Sequence, residues 1–392
     1  MKLKIPNEEI RERQKKFTDN LKEMNVESVI LFNTTDIFYL TNFMFRPSER
    51  PIAFFIDDSN KTHLFVPRME YSHAENYAVI DYIHEYIEYP GETHPMEILK
   101  MYLIEYKFTE KTVGYDSLGY SSQKGYKGPL LTEIMDFKDI VNIKGMVEKQ
   151  RYIKSNNEIE LIKESARWGN LAHTLLVEYS EIGKREMEIE GRASFEASQI
   201  IYKTLGADYK PYGNPPHAFY RGQIGKHSFF PHSQNQNAML KKGFNVVSQA
   251  ACDVWGYKSE LERTMFIGEA SKEQEKYFNH MLQAQEIAFD SIKPGIEASV
   301  IEKNVQRYFK ENNLEPLVRH HTGHNIGLLN HEAPFFDIGD DTLLEPGMIF
   351  SVEPGLYVED IGAFRHSDTI LITETGMELI TYYPRDFESL II

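Results

Sequence analysis

The spacing of apolar residues changes character near residue 150. Before it, helix-like and strand-like patterns alternate over short distances. Residues 8–23 predict an exposed helix. Val29–Phe32, Ile52–Ile56 and His63–Val66 are runs of β-branched and aromatic residues and predict short strands. This alternation over residues 1–145 predicts a smaller α/β domain. Between 117 and 129 the composition turns to Ser, Gly, Tyr and Lys, which predicts a loop near the end of that unit.

Residues 146–392 predict an α+β domain. Ser155 followed by Glu158 forms a capping-box pattern, with Ile159, Ile162 and Ala166 at helical spacing behind it. The same pattern recurs at Ser271 with Gln274 and at Ser299 with Glu302. A further helix is predicted over about 185–205, stopping at Gly206. Strand patterns fall at roughly 244–251, 256–267, 348–357 and 364–373. Gly and Pro turns separate them, so antiparallel pairing is predicted.

Charge narrows the partners. The chain has 392 residues and a formal net charge of −16, which argues against nucleic acid and anionic membrane surfaces. No run approaches the roughly 18 apolar residues of a membrane helix, and the first residues show no apolar leader segment. The single cysteine, Cys252, excludes an intramolecular disulfide and sits in an apolar setting that predicts packing. These features together predict a cytoplasmic protein with a small-molecule partner.

His and Glu concentrate in four stretches of the second half: around His232, at 256–264, at 320–332 and at 350–355. An extended 257–266 puts Glu260, Glu262 and Thr264 on one face. Two like charges so placed repel, and a metal, a cationic ligand, a raised pKa or plain solvent must relieve them. Glu353 shares a side with Ser351, or is a surface Glu before a Pro-Gly turn. His320, His324 and His331 stand beside glycines that let backbone approach a ligand, or bond to backbone themselves.

Taken in order, these motifs resemble the creatinase, aminopeptidase P and prolidase family of the pita-bread fold. They are Arg151-Tyr152-Ile153-Lys154-Ser155, His232, the stretch 256–264, the stretch 320–334, the stretch 345–355, and Arg365 to Thr369 followed by Glu374. The resemblance implies a creatinase-type α/β domain at 1–145 and a pita-bread catalytic domain at 146–392. It implies a hydrolase of C–N bonds and a homodimer.

The peptidases of the family hold two metal ions with two Asp, one His and two Glu. Those places fall on Gln249, Glu260, His324, Glu353 and Ser367, so two of the five acids or imidazoles are replaced here. Creatinase, by contrast, works without metal through one His and two Glu. Those fall on His232, Glu262 and Glu353, and His232 precedes Glu262 by thirty residues. The resemblance therefore implies a metal-independent amide or amidine hydrolase. In it His232 is general base and acid, and Glu262 and Glu353 clamp a cationic group. His324, His331, Glu260, Arg365 and an N-domain arginine, Arg46 or Arg50, bind substrate. No cofactor is expected.

Two alternatives stay open. One is a metal-dependent proline dipeptidase or Xaa-Pro aminopeptidase with a rearranged site. It would use one or two divalent cations (Mn, Co, Zn or Fe) at Glu260, Glu262, His324 and Glu353, on a dipeptide-sized substrate. The other is a catalytically silent binding protein on the same fold.

Overall fold

The structure is a computed structural model that describes residues 3–121 and 124–392. Residues 122 and 123 of the expected loop at 117–129 lie outside the described residues. The chain divides into two compact units, Ile5–Gln150 and one built on Arg151–Ile392.

The first unit is a mixed α/β sheet. Its elements are α1 (Asn7–Glu23), β1 (Ser28–Leu31), α2 (Thr34–Thr41), β2 (Ala53–Ile56), β3 (Thr62–Pro67), α3 (Tyr71–Tyr77), β4 (Tyr82–Tyr86), α4 (Pro95–Glu105), β5 (Thr112–Tyr115), α5 (Leu131–Ile134) and β6 (Asp139–Asn142). Helix α1 buries Ile10, Phe17 and Leu21 and leaves its charged face to solvent, as its pattern predicts. The six strands lie in the order β4-β3-β2-β1-β5-β6. Pairs β1–β2 and β2–β3 are antiparallel; β3–β4, β1–β5 and β5–β6 are parallel.

Helix α6 (Met146–Arg151) leads into α7 (Asn156–Glu178), α8 (Glu186–Leu205), β7 (His217–Phe219), β8 (Asn245–Ala251), β9 (Asp253–Val254), β10 (Tyr257–Lys258) and β11 (Leu261–Phe266). Then come α9 (Lys272–Ser291), α10 (Ala298–Glu311), β12 (Gly323–Asn325), β13 (Glu332–Phe336), β14 (Ile349–Val352), β15 (Gly355–Val358), β16 (Gly362–Arg365), β17 (Ser367–Ile372) and β18 (Met377–Leu379). The capping boxes at Ser155 and Ser271 are present as predicted. The third is corrected. Helix α10 starts after Glu297, so Ser299 lies inside its first turn and its hydroxyl reaches Asp341 instead.

The second unit's main sheet runs β13-β12-β14-β17-β11-β8-β7, with β18 on β17, and every pair is antiparallel. This is the expected α+β pita-bread architecture. All six residues of β11 are buried, so the strand is covered on both faces. One face holds Met265 and the fully buried Arg263. The Arg263 guanidinium meets Asp368 at 2.8 Å and donates to the carbonyls of Glu262, Ser367, Tyr383 and Pro384. A buried guanidinium is tolerated only when its donors are matched in this way. The opposite face carries Glu262 and Thr264.

Candidate metal and substrate site

Register brings the site residues together. His324 pairs with Ser351 across β12–β14, and Glu262 lies between Gln249 on β8 and Ser367 on β17. Glu260 precedes β11, and Glu353 follows β14 where Pro354 ends the ladder. Side chains that alternate in the pleat thus collect from several strands on one face of the sheet.

Glu260, His324 and Glu353 are buried, and one ligand atom from each lies within 4.8 Å of the others. His324 Nε2 stands 3.4 Å from Glu353 Oε1 and 3.9 Å from Glu260 Oε1. It is buried yet has no hydrogen-bond partner there, while Nδ1 lies 3.1 Å from the Asn325 carbonyl. With Nδ1–H donated to that carbonyl, Nε2 is the ring atom turned to the two carboxylates, where it carries either a proton or, once that proton is displaced, a lone pair for a cation. Burial works against charge on His324, but Glu353 and Glu260 outweigh it and raise the group to about 9. Burial likewise opposes charge on Glu353, yet the adjacent His324 and Arg365 hold it well below the usual carboxylate range. The three groups form a pocket that demands positive charge.

Around Glu260 the neighbours are donors. Ser351 and Ser367 each lie 2.9 Å from Oε1, and Gln249 Nε2 lies 3.2 Å from Oε2. Glu262 is matched differently. Both its oxygens accept from Arg365, Oε1 from Nη2 at 2.8 Å and Oε2 from Nε. Burial pushes the Glu262 carboxyl up and Arg365 pulls against it; the guanidinium itself is held firmly protonated by Glu262, Tyr357 and Glu353. The Arg365 Nη1 donates to Tyr357 Oη at 2.8 Å, and Tyr357 Oη lies 2.7 Å from His320 Nε2. His320 Nδ1 donates to the His321 carbonyl at 2.8 Å. That fixes a chain from Glu262 through Arg365 and Tyr357 to a neutral His320. The expected clamp of Glu262 and Glu353 around an outside cation is therefore altered, because an internal guanidinium already faces Glu262.

His331 is exposed and stacks on His324 with ring centroids 3.9 Å apart. His232 is also exposed and lines a cavity of about 480 Å³ with Glu190, Phe219 and Arg221. Burial together with the charges of Arg221 and Arg365 lowers its pKa. Arg221 Nη2 comes within 4.0 Å of Glu262 Oε1, so the cavity adjoins the buried cluster. In the N-terminal unit, Arg46 is exposed and Arg50 is bound to Glu49 and Glu88.

The sequence reading gave no role to Arg221, Tyr357 or Lys154. Lys154 Nζ, buried and lowered to about 8 by that burial, bonds Asn325 beside His324 and lies 3.9 Å from Glu332. Arg221 carried one signal: it precedes Gly222, whose φ is +72° and whose Cβ would fall 1.9 Å from the Gln234 carbonyl oxygen. That close approach ties the β7–β8 turn to the segment after His232.

Two carboxylates and an imidazole nitrogen within reach of one point suit a divalent cation of the borderline class, which would displace the ring proton. The donor set therefore fits one such ion at Glu260, His324 and Glu353. Glu262 is not part of the cluster, because Arg365 occupies it.

The profile of metallopeptidase family M24 matches residues 160–374, and that of the creatinase/prolidase N-terminal domain matches 13–153. A putative dipeptidase, YkvY, of Bacillus subtilis is 28% identical over 93% of this chain and 96% of its own length. An Xaa-Pro dipeptidase of Pyrococcus furiosus is 26% identical over 96% of this chain and 99% of its own. The solved Xaa-Pro dipeptidase of Bacillus anthracis superposes with a TM-score of 0.79 at 25% identity, covering 96% and 99% of the two chains. The expected C–N hydrolase agrees with these matches. The expected metal-independent, creatinase-like reaction with no cofactor does not, and it is corrected. It rested on the replacements at Gln249 and Ser367 and on the match of His232, Glu262 and Glu353 to creatinase, but Glu260, His324 and Glu353 converge on one buried point. The match spans more than half of the sequence, and the chain belongs to metallopeptidase family M24.

Proposed function

We propose that the chain is a metal-dependent hydrolase of dipeptides with proline in the second position. The observation that carries this reading is the buried, unpartnered Nε2 of His324 facing Glu260 and Glu353. The family match and the relatives named Xaa-Pro dipeptidase support it. An ion held by Glu260, His324 and Glu353 would polarise the scissile carbonyl and make a bound water more acidic.

The chain's own residues do the rest. His232 is exposed on the cavity wall, and its lowered pKa leaves it neutral near pH 7. It can take a proton from the attacking water and return it to the leaving nitrogen. His331, exposed over His324, is placed to donate to the developing oxyanion. The Arg221 guanidinium offers a partner for the free carboxylate of a dipeptide. The Arg365–Glu262 pair and its link through Tyr357 hold the floor of the site rigid.

Among the described residues no helix is long and apolar enough to cross a membrane. The one cysteine, Cys252, is buried and free, in keeping with a reducing cytoplasm. The test is a panel of Ala-Pro, Gly-Pro, Ala-Ala and Ala-Pro-Ala with added Mn²⁺. The reading expects the two prolyl dipeptides to be cleaved fastest. Cleavage of none of them would refute it.

A further inference from the structure

We infer that the site takes one divalent cation per chain, at Glu260, His324 and Glu353, and that the Arg365 guanidinium fills the role of a second positive charge in the same cluster. This rests on the metal-dependent reading above.

The argument is one of available donors and of charge. His324 is fully buried and its Nε2, which has no hydrogen-bond partner, faces Glu260 and Glu353, so a cation held by the two carboxylates meets that nitrogen in place of a proton. Among the described residues no second group of three converging His, Cys, Asp or Glu side chains exists. Where one would be sought, beside Glu260 and Glu262, the side chains are hydrogen donors: Gln249 Nε2, Ser351 Oγ and Ser367 Oγ. Each already meets Glu260. Ser351 and Ser367 also lie 2.5 Å from each other, so one hydroxyl donates to the other and the pair brings neutral oxygens where a carboxylate would be needed to hold a second ion. Both oxygens of Glu262 are covered by Arg365.

The charges agree with this count. With an ion bound and His324 neutral as its ligand, Glu260, Glu262 and Glu353 bring three negative charges and Arg365 returns one positive. His320 accepts from Tyr357 and is neutral. The buried net charge is therefore about −2, which one divalent ion neutralises; a second would leave about +2 out of water, and Arg221 at the rim would add to it. An uncompensated buried double charge is strongly disfavoured, so the second site stays weak.

The experiment is a titration of chelator-stripped full-length protein with Mn²⁺ by calorimetry, with elemental analysis after desalting. The inference expects one ion per chain, loss of that ion in His324→Ala, and two ions in the double variant Gln249→Asp/Ser367→Glu, which brings the buried charge to about −4. Two ions on the unaltered chain would overturn the inference and leave the proposed function standing. No ion on the unaltered chain would overturn both. A folded double variant that still takes one ion would overturn the charge argument. Dipeptide hydrolysis, measured separately, distinguishes failure of the inference from failure of the function.

Discussion

Removing the Arg365 side chain should destabilise the second unit far more than removing its partner as well. In Arg365→Met, Glu262 keeps its buried place beside Glu260 and Glu353 but loses both charge-assisted hydrogen bonds. Arg365 is 3% exposed and Glu262 1%, so water does not replace them. Breaking a buried pair from one side costs about 3–5 kcal/mol, whereas replacing both partners with apolar groups of similar volume is often neutral or stabilising. For a unit of this size, about 2–4 °C of Tm accompanies each kcal/mol. The single variant should therefore melt roughly 6–20 °C lower, and Glu262→Leu/Arg365→Met should recover most of that loss. Scanning calorimetry in excess chelator is the assay, because a bound ion would stabilise the folded form by mass action. The transition of the second unit must be read separately from that of the first. A single variant within about 1 kcal/mol of the parent, or a double variant as unstable as the single, would refute the pairing argument.

Gly323→Ala places a Cβ 2.2 Å from the Ser351 carbonyl oxygen, forcing β12 from β14. It should cost about 1–3 kcal/mol and weaken Mn²⁺ binding at His324, both read by calorimetry. Arg221→Gln should raise the KM for prolyl dipeptides roughly 10–100-fold, the loss expected for a charged hydrogen bond, with kcat little changed; an unchanged KM removes Arg221 from substrate binding. In the first unit, His63 Nδ1 lies 3.0 Å from His84 Nε2, and burial lowers both groups, His84 to about 4. Such groups stay neutral when folded and take up protons when unfolded. They cost no stability above about pH 6.5, and as pH falls from there toward about 4 the unfolded chain binds protons that the folded chain refuses, so stability declines through that window. His84→Phe should flatten that slope in denaturant titrations between pH 7 and 4; an unchanged slope would exclude this source.

Local patterns carried much of the fold into view. The capping boxes at Ser155 and Ser271, the strand runs of the first unit and the shared face of Glu260, Glu262 and Thr264 all depend on neighbours a few residues away. The pattern at Ser299 misled because Asp341, distant in sequence, takes the hydroxyl that a cap would use. The same limit applies to the site. The repulsion between Glu260 and Glu262 was legible, but its relief was not. Glu262 meets a guanidinium 103 positions on, and Glu260 gathers Gln249, Ser351 and Ser367 from three other strands. Loss of two acids suggested loss of metal altogether. That inference failed because coordination depends on which lone pairs converge in space, and His324 Nε2 remains aimed at two carboxylates.

The most direct measurement is the rate of Ala-Pro hydrolysis by protein stripped of metal, before and after Mn²⁺ is returned. The account predicts no turnover when stripped, recovery on addition, and no recovery in His324→Ala. Full turnover by stripped protein with no ion detectable by elemental analysis would contradict it.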